Sequence, residues 1–116
     1  MKLKTIIKQL GLEALTAKDR LDIEVSSGYT SDLLSDVMAN SKAKNLWITL
    51  QIHQNIVAVA LLKELAGIIL VNGRMPEDAT VKKAGEEGVP LLLSQETAFT
   101  ASGKLYQLLK EGEKKA

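Results

Sequence analysis

Leu46-Trp47-Ile48-Thr49-Leu50-Gln51-Ile52-His53-Gln54-Asn55, followed by the apolar run 56–65 and by Gly67-Ile68-Ile69-Leu70-Val71-Asn72-Gly73, is the stretch from which the fold is read. Leu46, Ile48, Leu50 and Ile52 alternate with Trp47, Thr49 and Gln51, a period of two that predicts a strand. Asn55 is placed to cap a helix over 56–65 that is apolar almost all round, and such a helix is buried on several sides. Gly67 then opens a β-branched run over 68–71, the composition of an inner parallel strand. Asn72-Gly73 ends it with a turn that needs positive φ.

The same rhythm extends in both directions. Pro76 suits a first helical turn, Glu77 and Asp78 suit its dipole, and Gly88 stops that helix. Residues 89–93 form a short strand, and Ser94 is set to cap a last helix from about Thr97 to Leu109. Towards the N-terminus, Leu3, Ile6, Ile7 and Leu10 fall on one helical stripe ended by Gly11. Leu21, Ile23 and Val25 alternate with Asp22 and Glu24 as a half-buried strand, interrupted by Ser26-Ser27-Gly28. Ser31 or Asp32 is positioned to cap a helix carrying Leu33, Leu34, Val37 and Met38. Strand and helix in quick succession imply parallel pairing with right-handed crossovers. The expected fold is therefore a small α/β layered domain: a mainly parallel sheet flanked by helices, its central strands at 46–51, 68–71 and 90–93. Residues 1–116 read as one domain, with 112–116 as a frayed tail.

Composition narrows the function. The chain has 116 residues, 15 Lys and Arg against 14 Asp and Glu, one histidine (His53) and no cysteine. That length suits a single domain with a core that needs no disulfide. A thiol nucleophile, a cysteine-bound metal and a multi-histidine site within the chain are excluded. Only Arg20 and Arg74 are arginines, and aromatic residues are 3% of the chain, which argues against nucleic-acid binding. Apolar runs fall short of the roughly 20 residues of a membrane span. With no signal-peptide core in the first residues, a cytoplasmic protein is expected.

In open α/β sheets, ligands bind beyond the carboxyl ends of the strands. Three loops fall on that edge: the segment with His53 and Asn55, the segment Asn72-Gly73-Arg74, and the segment with Ser94 and Glu96. Helix-start amides there favour an anion, and Arg74 could grip a phosphate or carboxylate. Each residue also has a plainer use: capping for His53 and Asn55, a turn for Asn72-Gly73, a surface ion pair for Arg74. Trp47, opposite the alternating core face, fills a second apolar layer or marks a subunit contact. Catalytic motifs are absent: no phosphate-binding G-x-x-x-x-G-K-[ST], no G-x-S-x-G, no H-E-x-x-H. An enzyme built on Asp32, His53 and Glu96 is a minor alternative; no catalytic residue, metal ligand or cofactor is assigned.

Gly28-Tyr29, Asp32-Leu-Leu-Ser-Asp-Val37, Trp47-Ile48-Thr49, Ile56-Val57-Ala58-Val59-Ala60, Ile68-Ile69-Leu70-Val71-Asn72-Gly73, Pro76 and Gly88-Val89-Pro90-Leu91 together resemble the DRTGG domain family over nearly the whole chain. Such domains occur alone or attached to phosphate acetyltransferases and CBS-containing pyrophosphatases, and resemble the N-terminal domain of HPr kinase/phosphorylase. Some stand-alone versions in anaerobes are encoded beside hydrogenase genes. The resemblance implies a non-catalytic regulatory α/β module, a homodimer, that takes a small phosphorylated or nucleotide ligand or a protein partner. A scaffolding domain in a metabolic, hydrogenase-linked system is the alternative. The name-giving residues are altered: His53-Gln54-Asn55 stands where the family has an Asp-Arg pair, and Val71-Asn72-Gly73 where it has Thr-Gly-Gly. The kinase domain with its phosphate loop is missing, so phosphotransfer is not implied.

Overall fold

The computed structural model describes residues 1–115. Its elements in chain order are α1 (Leu3–Leu10), β1 (Glu13–Ala14), β2 (Ser27–Thr30), α2 (Leu34–Asn40), β3 (Asn45–Thr49), α3 (Asn55–Leu62), β4 (Gly67–Leu70), α4 (Asp78–Glu87), β5 (Leu91–Leu93) and α5 (Ala98–Lys115). The sheet has the order β1-β5-β4-β3-β2, with β2, β3, β4 and β5 parallel and the short β1 antiparallel on β5. The α/β layered reading is correct, and its three central strands are β3, β4 and β5.

Strand periodicity divides the apolar residues between two cores. Trp47, Ile68, Leu70, Leu91 and Leu93 meet Val37 of α2, Ile56, Val57 and Ala60 of α3, and Ala84 of α4 on one face. Leu46, Ile48, Ile69, Val71 and Leu92 meet Leu3 and Ile6 of α1 and Ala101 and Leu105 of α5 on the other. Because both faces are covered, the strands read as nearly continuous apolar runs. Trp47 is fully buried in the first core, and its indole N–H donates to the Ser31 carbonyl at 2.8 Å. It therefore fills a second apolar layer.

Several boundaries differ from the sequence reading. The 21–25 alternation packs Leu21, Ile23 and Val25 into the second core, but residues 21–22 form a turn, Glu24 makes one isolated bridge to Lys2, and the segment is not a sheet strand. Its backbone bonds the first residues of the chain instead: Leu3 N–H to Ile23 C=O, Lys4 N–H to Leu21 C=O, Val25 N–H to Met1 C=O. The edge strand is β2, formed by residues read as an interruption. Gly28 suits it because a β-carbon there would lie 2.8 Å from Cδ2 of buried Leu105. Strand β3 ends at Thr49, and Ile52 joins the core opposite to that of Leu46 and Ile48. Helix α3 stops at Leu62, with Leu61 and Leu62 exposed. Pro76 precedes α4 rather than entering its first turn. Helix α5 continues past Leu109 through Gly112 to Lys115, so the expected tail from 112 is helical up to that residue, and Ala116 lies outside the described residues.

Candidate functional site

The carboxyl ends of β3, β4 and β5 form one rim, and the three predicted loops lie on it. After β4, Asn72 and Gly73 both take the left-handed conformation, with φ of 60° each, and Arg74 N–H returns to Val71 C=O at 3.2 Å. Positive φ at both central residues with that closing bond is a type I′ turn, the geometry for which Asn-Gly is suited. The turn is stitched to the loop after β5: Asn72 N–H donates to Glu96 C=O and Gly73 N–H to Ser94 C=O, both at 2.8 Å. A β-carbon on Gly73 would collide with Oε1 of Gln95, so that side chain lies directly over the turn.

The loop after β3 joins the same rim. The Ile52 carbonyl accepts the Thr80 hydroxyl at 2.6 Å and the Glu77 N–H at 3.3 Å, tying this loop to the start of α4. His53 is exposed, and its Nδ1 accepts the Asn55 N–H at 3.1 Å while its carbonyl accepts the Ile56 N–H. The residue expected to cap α3, Asn55, is instead its first helical residue, and the imidazole takes the capping role. Ser94 is buried and its hydroxyl accepts the Glu96 N–H; the cap of α5 is Thr97, whose Oγ1 accepts the Thr100 N–H at 3.3 Å. The Glu96 carboxylate pairs with Lys104 at 3.1 Å.

This wiring changes the character of the rim. Amides of Asn55, Ile56, Asn72, Gly73 and Glu96, which sequence logic offered to an anion, all donate within the protein. What faces outward is side-chain chemistry: His53, Asn55, Asn72 and Arg74 are exposed. Among the described residues Arg74 joins no ion pair, so its guanidinium is not spent on the surface pairing expected of it. At α4 the acidic Asp78 in the first turn repels an anion. Among the described residues no group of three or more His, Asp or Glu could hold a metal ion.

Asp32 belongs to the rim in a way the sequence reading missed. Expected as a helix cap or a member of a minor catalytic set, it reaches across to the end of β3. Its Oδ1 accepts the Thr49 hydroxyl at 2.9 Å and the Leu50 N–H at 2.7 Å, and its carbonyl accepts the Gln51 side-chain amide. Only the β2–β3 register brings these residues together, and no local signal marks that pairing. Nearby, Asp36 accepts from the Tyr29 hydroxyl at 2.7 Å and from Asn40 at 2.8 Å. The Tyr29 bond first, then those from Asn40 and Ser31, hold the Asp36 carboxyl below the ordinary carboxylate range. The same contact raises the Tyr29 phenol above its ordinary value.

Several concavities lie away from the rim, lined by none of His53, Asn72 and Arg74. A cleft of about 450 Å³ opens at the opposite strand ends, lined by Arg20, Ala60, Leu61, Glu64, Gly88 and Pro90 among others. A groove of about 310 Å³ runs between β2 and α5. No helix among the described residues is long and apolar enough to cross a membrane.

No protein-family model and no curated protein matches this chain. Among solved structures it is similar to the CBS and DRTGG domains of the regulatory region of Clostridium perfringens pyrophosphatase, a structure complexed with the activator diadenosine tetraphosphate. The TM-score is 0.72 at 16% identity, over 91% of this chain and 46% of that one. The chain thus spans less than half the length of that regulatory region. At such identity the likeness is one of fold: the layered α/β domain described above is an architecture found in a CBS-and-DRTGG regulatory region.

Proposed function

We propose that this chain is a cytoplasmic, non-catalytic regulatory domain of the DRTGG type that works as a homodimer and binds a small anionic ligand, phosphorylated or nucleotide in class. The observation that carries this reading is the fold shared with a regulatory region whose activator is a dinucleoside polyphosphate. The relation to the N-terminal domain of HPr kinase/phosphorylase is part of the same proposal. On the rim, Arg74 and His53 supply the positive or hydrogen-bonding contacts to the anion, Asn55 and Asn72 supply amides, and Gly73, Ser94 and Glu96 hold the loops in place.

Thermal-shift measurements with diadenosine tetraphosphate, ATP, AMP and inorganic phosphate test the proposal. A ligand at a hundredfold excess over its Kd adds roughly 2.7 kcal/mol to stability, a shift of about 10 °C in a domain of this size. Substituting Arg74→Ala should remove the shift while leaving the ligand-free melting point in place; His53→Ala should also remove it, from a melting point lowered by loss of the imidazole that caps α3. No stabilisation by any of these compounds at millimolar concentration would overturn the reading. A second reading, a scaffolding domain that binds only protein, is favoured by the exposure of Leu33, Leu62, Phe99 and Tyr106. It predicts self-association or partner capture with no ligand response.

A further inference from the structure

We propose that Asn72 is a self-modification site guarded by the rim. When the linkage between the rim loops opens, the Gly73 nitrogen attacks the Asn72 carboxamide and converts it to aspartate or isoaspartate. The chain has asparagine at positions 40, 45, 55 and 72. The first three precede Ser41, Leu46 and Ile56, whose β-carbons shield the following nitrogen, whereas Gly73 has no β-carbon. Asn72 is also exposed, so water reaches its carboxamide.

The chemistry needs only the chain and water. A bond forms from Gly73 N to Asn72 Cγ, the Cγ–Nδ2 bond breaks, and ammonia leaves with the proton given up by Gly73 N. Water then opens the succinimide ring. Addition at Cγ gives aspartate; addition at the main-chain carbonyl gives isoaspartate, whose backbone runs through Cβ.

The fold opposes the first step in two ways. Gly73 N–H donates to Ser94 C=O at 2.8 Å, so the proton that must leave is held in a hydrogen bond. Asn72 has φ of 60°, and in a type I′ turn its ψ is about 30°. At that angle Cβ and the Gly73 nitrogen lie nearly opposite each other about the Cα–C bond, whereas ring closure requires them almost eclipsed. Rotating the peptide into place breaks both the bond to Ser94 and the Arg74 N–H bond to Val71 C=O. The guard is therefore the loop after β5, which presents the Ser94 and Glu96 carbonyls to the turn.

Conversion is one-way. Isoaspartate adds a carbon to the backbone of a two-residue turn, so the amides of residues 72 and 73 no longer reach Glu96 and Ser94 together. Either product sets a carboxylate two residues from Arg74, which joins no ion pair among the described residues. An anion held at Arg74 would then be repelled; that consequence rests on the ligand reading above, while the modification itself does not.

The test is mass spectrometry of the tryptic peptide 64–74 after the 116-residue chain has stood in mildly alkaline buffer, against a synthetic peptide of residues 68–78 in the same buffer. The synthetic peptide should lose the Asn72 amide and yield both acids, separable by chromatography. In the folded chain the same conversion should run roughly 30-fold slower, since two backbone hydrogen bonds must open first. Ser94→Ala removes the hydroxyl that accepts the Glu96 N–H and should speed conversion roughly fivefold. If that variant fails to fold, the comparison of wild type with peptide decides alone. Equal rates in chain and peptide would overturn the guard, and a synthetic peptide that keeps its amide would overturn the site. A folded Ser94→Ala chain no faster than the wild type would remove the 94–96 loop from the account. Because the readout is mass, each result stands whether or not the rim binds an anion.

Discussion

Replacing Gly73 by alanine probes the device that joins two rim loops. Two costs are expected. An alanine held at φ 60° in the left-handed region loses about 1–2 kcal/mol, offset by about 0.4–1 kcal/mol because alanine restricts the unfolded chain. The new methyl must also displace Gln95, whose Oε1 occupies its place. Gln95 is exposed and can swing away, so this second cost is smaller, about 0.5 kcal/mol for a side chain forced off its preferred rotamer. Together they predict a loss of about 1–2 kcal/mol in urea denaturation, or about 4–8 °C in Tm for a domain near this size. A double-mutant cycle separates the terms. In a Gln95→Ala background the steric cost disappears and only the backbone cost remains, a coupling of about 0.5 kcal/mol. The neighbouring Asn72→Gly change relieves a left-handed position and should cost little. If Gly73→Ala equals or exceeds the wild type in stability, the argument from turn geometry fails. If the coupling to Gln95 is zero, the packing of that side chain over the turn is refuted.

Trp47→Phe should cost about 1–3 kcal/mol, because the Ser31 carbonyl loses its buried donor and the core is left underfilled; a cost below about 0.5 kcal/mol would contradict that. In the native protein the emission of Trp47 should resist acrylamide quenching until the domain unfolds. Gly88→Ala should destabilise more than a helix-end glycine alone accounts for, since φ is 70° and the added methyl meets the Arg20 guanidinium at 2.7 Å; equal Tm values for Gly88→Ala in wild-type and Arg20→Ala backgrounds would sink this. Asp36 and Asp22 are held below their ordinary range by Tyr29 and Lys4 respectively. Lowered folded-state values mean that their stabilisation is fully present above the ordinary carboxylate pKa and is lost as pH falls through the folded value. Stability should therefore decline below about pH 4, and Asp36→Asn should flatten that decline; an unchanged acid slope in the variant would refute the assignment.

Sequence reading worked where a local rule and the fold agreed. Gly11 and Gly88 end α1 and α4 in the left-handed conformation, as predicted. Asn72-Gly73 makes the turn its residue types require. It failed where hydrogen bonds cross long sequence distances. The 21–25 alternation marked one buried face, but periodicity does not say which backbone such a segment bonds, and here it is that of residues 1–4. Gly28 looked like a breaker because the local pattern omits Leu105, the neighbour that makes glycine suitable there. Asn55 and Ser94 looked like caps; in the fold His53 and Thr97 bond those helix starts instead.

What the sequence by itself determined is the alternation of apolar strands and helices, and hence a parallel sheet covered on both faces, because burial periodicity is local and repeats along the chain. It also placed His53, Asn72 and Arg74 beyond strand ends, since connectivity alone puts such loops on one edge. Only the tertiary structure decided which polar groups on that edge remain free. Whether an amide is offered to a ligand depends on carbonyls brought beside it by strand pairing, as Ser94 and Glu96 are brought to Gly73 and Asn72. That pairing is settled by packing of the whole sheet, so the sequence shows where the rim is and the fold shows that its side chains, not its amides, face outward.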